Sequence, residues 1–143
     1  MYYGALEAGG TKMVCAIGDA DKNIIDRISI PTGTPEQSVP AMIDYFKKYD
    51  ISALGIGTFG PADINPNSPT YGSIMRSPKK DWEGFSLYKA FTDALGCLVV
   101  VDTDVNAAAW GEYLYGALKG LNSGMYLTVG TGIGGGIISD GRL

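Results

Sequence analysis

The chain has 143 residues, 45% hydrophobic and 18% charged, with 11 Lys+Arg against 15 Asp+Glu, a formal net charge of −4, no His, 2 Cys and 21 Gly. That is a folding composition at the length of one ordinary domain, enough to bury a core. The negative balance argues against an electrostatic nucleic-acid binder, and the missing His excludes Ser-His-Asp pairs, Cys-His pairs and His-ligated zinc.

The opening residues, Met1-Tyr2-Tyr3-Gly4, carry no basic stretch followed by an apolar core, so no signal peptide is predicted. The apolar run around Leu98-Val99-Val100-Val101 is strand-sized, far short of a bilayer span. Cys15 and Cys97 are isolated in apolar segments without Cys-x-x-Cys spacing, which predicts reduced core thiols. A cytoplasmic protein without membrane contact is the expectation.

In chain order, Tyr2 to Glu7 and Met13 to Ile17 read as strands joined through the turn Ala8-Gly9-Gly10-Thr11. Asp19-Ala20-Asp21 turns into a third strand, Ile24 to Ile30. Val39, Met42, Ile43, Phe46 and Tyr49 follow at helical spacing. The start of that helix has two readings. Thr34-Pro35-Glu36-Gln37 resembles a capping box but leaves Pro40 inside, and Ser38 is the competing cap. Ile51 to Thr58 reads as a buried strand.

Residues 59 to 82 hold four of the seven prolines and no helical period. So long a loop in a compact domain is usually functional or disordered, and Tyr71, Met75 and Trp82 argue for order. Leu87, Tyr88, Phe91 and Leu95 then predict a helix capped by Gly96. Leu98 to Val101 reads as a strand and Asp104 to Tyr115 as a helix stopped by Gly116. Met125 to Val129 and Gly136 to Ser139 read as strands flanking a glycine-dense turn.

Shifted by 121 positions, the first hairpin lies over the last: Gly9 on Gly130, Asp19 on Asp140, and Ala5, Leu6, Val14 and Ile17 on Tyr126, Leu127, Gly135 and Ile138. The match at Gly135 is poor. A strand–turn–strand unit recurring a domain apart points to a duplicated, two-lobed fold. Residues 1–117 read as one lobe and 118–143 as the opening of another.

Both glycine turns, Gly9-Gly10-Thr11-Lys12 and Gly130-Thr131-Gly132-Ile133-Gly134-Gly135-Gly136, join strands. Glycines let successive N–H groups converge on a phosphate, with Thr11, Lys12 and Thr131 as further donors. Neither turn has P-loop spacing or opens a helix as a dinucleotide fingerprint does, and either alone is equally a tight hairpin. The pair says more, because a nucleotide held between two lobes needs two phosphate grips.

Val101-Asp102-Thr103-Asp104-Val105-Asn106 runs from strand to helix through two carboxylates. An Asp there is commonly a cap. Its functional alternative is a base that takes a proton from an attacking hydroxyl at the carboxyl end of a strand, and composition does not choose between Asp102 and Asp104. Glu7 is either a carboxylate at the hairpin edge or a holder of Mg²⁺ through water. Tyr71, Lys79 and Trp82 either line a sugar pocket or pack their own loop. Gly55-Ile56-Gly57-Thr58-Phe59-Gly60-Pro61 has the look of a strand ending where a ligand or another backbone comes close.

Four motifs in order, Glu7-Ala8-Gly9-Gly10-Thr11-Lys12, Gly55 through Pro61, Asp104-Val105-Asn106-Ala107-Ala108-Ala109 with Gly111-Glu112, and Gly130-Thr131-Gly132-Ile133-Gly134, resemble the ROK family (repressors, open reading frames and sugar kinases). The likeness spans essentially the whole chain and is greatest to the family's bacterial fructokinases. It implies an α/β, actin/hexokinase-like (ribonuclease H-like) ATPase fold with ATP in the cleft and a hexose at its base. Asp104 becomes the general base, and Gly9, Gly10, Thr11, Lys12, Gly130, Thr131, Gly132 and Gly134 meet ATP phosphates. Gly60, Thr103, Asp104, Tyr71, Lys79 and Trp82 form the sugar side, and Glu7 holds Mg²⁺ through water.

Glu7 stands where the commoner glucokinase pattern has Asp, and Thr103 where it has a sugar-binding Asn. With Ser77-Pro78-Lys79 ahead of Trp82, both departures are fructokinase-like. The family's later sugar motif, His/Cys zinc site and adenosine pocket are not among these residues. The resemblance therefore implies structural zinc only in a C-terminal part, a homodimer when intact, and a 143-residue chain that is inactive alone and exposes an aggregation-prone edge.

Three rivals follow. One is a kinase of glucose, mannose or an N-acetylhexosamine. Another is a sugar-sensing ROK-type regulator, for which a helix-turn-helix finds no room before Tyr2. The third is a non-catalytic lobe whose glycine turns are structural.

Overall fold

The computed structural model describes residues 1–130 and 132–143. Its elements are β1 (Tyr2–Ala8), β2 (Lys12–Asp19), β3 (Ile24–Pro31), α1 (Pro35–Phe46), β4 (Ile51–Thr58), a 3-10 turn (Lys80–Trp82), α2 (Leu87–Leu95), β5 (Leu98–Thr103), α3 (Asp104–Tyr115), β6 (Gly124–Val129) and β7 (Ile133–Ile138). Strands β1 to β5 form one sheet in the order β3-β2-β1-β4-β5, and β6-β7 form a separate hairpin. β1, β2 and β3 are antiparallel neighbours; β1, β4 and β5 run parallel.

Side chains alternate across a strand, so each strand here has a core face and a second face. Leu6, Ala8, Leu54, Ile56, Val99 and Val101 point to one side and are buried with Met42 and Phe46 of α1 and Leu87 and Phe91 of α2. On the opposite face, Tyr3, Ala5, Glu7 and Gly55 are exposed, and Leu98 and Val100 remain 66% and 52% exposed. α3 lies on this second side, against β4, and the β6-β7 hairpin packs on α3 without joining the sheet.

Helix α1 starts at Thr34, whose N–H donates to Gln37 Oε1 at 3.0 Å, and Pro40 lies inside it. Ser38 instead accepts from Gly33 N–H at 2.9 Å, so it is not the cap. Gly96 ends α2 at φ +66°, as its position predicted. Cys15 is buried and Cys97 half-buried, both as free thiols, and burial pushes the Cys15 thiol up to about 12.

One expectation needs correction, and the order expected of the long loop holds. The glycine-dense segment is not one long turn, because β7 already begins at Ile133. A Cβ at Gly136 would strike the Val105 carbonyl oxygen, and one at Gly134 would stand 2.9 Å from Val105 Cγ1. Those glycines let the strand close on α3. The long loop, 59 to 82, is ordered: Ala62 bridges to Ile74, Ser73 bridges to Ser86, and the Asp63 carboxylate accepts from Ser68, Thr70 and Asn65.

Candidate functional site

Because β1, β4 and β5 are parallel, the segments after them emerge at one edge of the sheet. These are the Gly9–Lys12 turn, Phe59-Gly60, and Thr103-Asp104. Open α/β sheets bind ligands at that edge.

Glu7, Gly57 and Asp102 are register partners in one row across the three strands. Their side-chain positions therefore face the α3 side together, with about 10 Å, two strand spacings, between the outer two. Gly57 puts no side chain in the middle of the row. A Cβ there would lie 3.0 Å from Ala107 Cβ and 3.4 Å from Asp104 Cα, so its absence is what lets the first turn of α3 settle on the sheet.

Thr103 is the N-cap of α3, its Oγ1 accepting from Asn106 N–H at 3.2 Å. Its hydroxyl is thus committed to the helix start, and Asp104 is the first helical residue, not the N-cap. Asp104 Oδ1 accepts from Val105 N–H at 2.9 Å. Asp102 Oδ1 accepts from Thr103 N–H at 2.7 Å and from Asn106 Nδ2 at 2.8 Å. Glu7, Gly57, Asp102, Asp104, Val105 and Thr128 border one open cavity of about 810 Å³. Asn106, which steadies Asp102, and Thr128 on the hairpin were not singled out from the sequence. The Asp-x-x-x-Asn spacing into the helix is the signal that could have found Asn106.

The two turns differ in what their glycines do. Gly9 is required by the turn itself: its N–H donates to the Lys12 carbonyl at 3.0 Å, and a Cβ would stand 2.6 Å from that oxygen. Gly10 has no such constraint, and the N–H groups of Gly10 and Thr11 find no acceptor among the described residues. In the second turn Gly130 N–H donates to the Gly132 carbonyl at 2.9 Å. Among the described residues, chain neighbours aside, a Cβ at Gly130 or Gly132 would meet nothing within 4 Å, and Gly130 has no positive φ. At Gly130 neither packing nor backbone conformation asks for glycine. Thr131 lies outside the described residues. Gly134 touches Val105 and Gly141 lies by Tyr113 Oη, so the hairpin runs along α3 and its turn reaches past the helix start, on the side of Asp104.

The sugar candidates separate. Gly60, Thr103 and Asp104 share the sheet edge. Tyr71 is not in the lining of the Asp104 cavity but borders a separate open one with Tyr88 and Asp102: its hydroxyl accepts from Val101 N–H at 2.8 Å, donates to the Val101 carbonyl at 3.0 Å, and so occupies the free edge of β5. Trp82 is a core residue, 1% exposed, with its indole N–H donating to the Gly33 carbonyl at 2.9 Å. Lys79 lies over the first glycine turn, its Cε 3.8 Å from where a Gly10 Cβ would stand.

Glu7 is exposed, and no group of three or more metal-ligating side chains exists among the described residues. One free carboxylate fits Mg²⁺ carried mainly by phosphate and water, and does not fit a protein cage. Zinc has no ligand set here: there is no His, and Cys15 is buried in β2.

The sequence profile described as "ROK family" matches residues 3–143. The chain belongs to the ROK family. It is 46% identical over 141 residues to a fructokinase of Lactococcus lactis subsp. cremoris, covering 99% of this chain and 48% of that protein. To a fructokinase of Pediococcus pentosaceus it is 43% identical over 143 residues, covering 100% and 50%. A ROK glucokinase structure from Streptomyces griseus, in complex with glucose and AMPPNP, superposes with TM-score 0.84 at 32% identity, over 99% of this chain and 46% of that one. The fold is thus the mixed α/β arrangement of the N-terminal half of ROK hexokinases. The chain spans about half the length of the curated relatives it matches.

Proposed function

We propose that this chain is the N-terminal part of an ATP-dependent hexose kinase that converts D-fructose to D-fructose 6-phosphate. The observation that carries the reading is the sheet edge. The Asp104 carboxylate stands there at the start of α3, at the same edge as the Gly9–Lys12 turn, while the second glycine turn tips the hairpin packed on α3; Gly10 and Gly130, one in each turn, have no structural need to be glycine. Such bare corners suit the close approach of a triphosphate. Residues 1–117 form the first lobe and 118–143 open the second, which places ATP between them and the hexose near Gly60, Thr103 and Asp104.

In this mechanism Asp104 accepts the proton of the attacking sugar hydroxyl as the bond to the γ-phosphorus forms. The amides of Gly10, Thr11 and the second turn donate to phosphate oxygens and stabilise the charge that develops on them. Asp102, fixed by Asn106, keeps the first turn of α3 in place beneath the reacting centre. Mg²⁺, when bound near Glu7, neutralises phosphate charge. Closure of the second lobe excludes water as a competing acceptor. The chain alone, lacking that lobe, is expected to be inactive, and the complete enzyme to be cytoplasmic and dimeric.

Fructose is favoured over glucose, since the fructokinase relatives are 40–48% identical and a Streptomyces coelicolor glucokinase 36%. The deciding experiment is a panel of fructose, glucose, mannose and N-acetylhexosamines on the complete enzyme, with Asp104→Asn beside it. Fructose should give the highest kcat/KM, and the variant should lose about 10²–10⁴ in kcat with fructose affinity unchanged. A variant that keeps its turnover rejects the role of Asp104.

A further inference from the structure

We infer that Lys79 is a phosphate-gripping residue of the first glycine turn, a second cation beside Lys12 for the terminal phosphate of a nucleoside triphosphate, and not a sugar ligand. The inference rests on the kinase reading. Among the described residues, chain neighbours aside, Lys79 Cε is the one atom within 4 Å of where a Gly10 side chain would begin, at 3.8 Å, and its ammonium is one bond beyond. In the same turn, the N–H groups of Gly10 and Thr11 have no acceptor among the described residues.

The lysine is also held. Its N–H donates to Ser77 Oγ at 3.1 Å, Ser77 is buried, and its carbonyl accepts from Trp82 N–H at 3.0 Å. Trp82 is tied to Gly33, while Thr32 bonds both the Thr11 and Gly9 carbonyls. Loop 77–82 and turn 9–12 are therefore fastened together through residues 32 and 33, and the lysine stem stays over the turn.

Its charge is unspent. The ion pair among the described residues is Lys89–Asp93, and Lys79 has none. A lysine without an ion pair, its stem over a turn with two free amides, matches an anion. A neutral hexose gains little from a strongly hydrated point charge, whereas a phosphate gains a charge-assisted hydrogen bond.

Lys79→Met and Lys79→Arg in the complete enzyme decide the matter, with ATP and fructose varied separately and inorganic tripolyphosphate as a competitor of ATP. Lys79→Met should raise the KM for ATP and the inhibition constant of tripolyphosphate about tenfold or more, leave the KM for fructose unchanged, and be largely rescued by Lys79→Arg. A rise in the fructose KM alone, or no change in either, overturns the inference. If the wild-type enzyme phosphorylates no sugar, the kinase reading fails separately, and calorimetric titration of tripolyphosphate into the same protein still judges Lys79. Weaker binding by Lys79→Met supports it; equal or absent binding in both proteins refutes it.

Discussion

An added methyl group at Gly130 enters open space, while one at Gly136 enters the Val105 carbonyl. Identical substitutions should therefore have opposite readouts. Gly136→Ala is expected to cost about 1–3 kcal/mol of stability, read by denaturant unfolding, because the hairpin must lift from α3. Gly130→Ala should leave stability unchanged and raise the KM for ATP. From the sequence these glycines formed one undivided turn; only the approach of α3 separates Gly134 and Gly136, which pack, from Gly130 and Gly132, which do not. Tyr71 and Trp82 were open in the same way. A loop aromatic has the same composition whether it faces a ligand or a strand edge, and the contacts with Val101 and Gly33 that decide the matter are 30 and 49 residues away in sequence.

Strands β1 to β4 and helices α2 and α3 were legible because alternation, helical spacing and the stops at Gly96 and Gly116 agreed. The start of β7 was not, since three successive glycines carry no period. The hairpins also differ by one residue in register: Glu7 pairs with Val14, but Thr128 pairs with Gly134. A fixed shift of 121 positions therefore slips out of phase after the turn, although the register counterpart of Val14, Gly134, is glycine as well. Helix α1 holds a proline that its spacing alone would forbid. Pro40 is exposed and deprives the Glu36 carbonyl of its helical donor. Pro40→Ala should restore that bond and stabilise the protein by about 1 kcal/mol or more, net of a more flexible unfolded chain, as a higher melting temperature would record.

Across the whole molecule, the absence of His leaves the middle of the pH range quiet. Asp19, Asp26 and Asp63 are held below the usual carboxylate range by hydrogen bonds from Asn23, Tyr49 and Ser68. Their stabilisation is present above the ordinary carboxylate value, roughly pH 4, and is lost as pH falls below it. Burial of Cys15 acts at the other end: the folded state keeps the thiol protonated, so stability holds below the ordinary thiol value of 9.0 and declines as pH rises toward about 12. Thermal melts from pH 3 to 11 should show a plateau between roughly 5 and 8 with a fall on each side.

The phenol at position 71 has one more consequence. Because it satisfies both outward main-chain groups at the middle of β5, an arriving strand finds nothing there to zip onto. Lengthening of the ladder is interrupted at Val101, which disfavours self-templated polymerisation through that border. The sheet's other outer strand, β3, has no such plug among the described residues, so sideways growth is left to the β3 border.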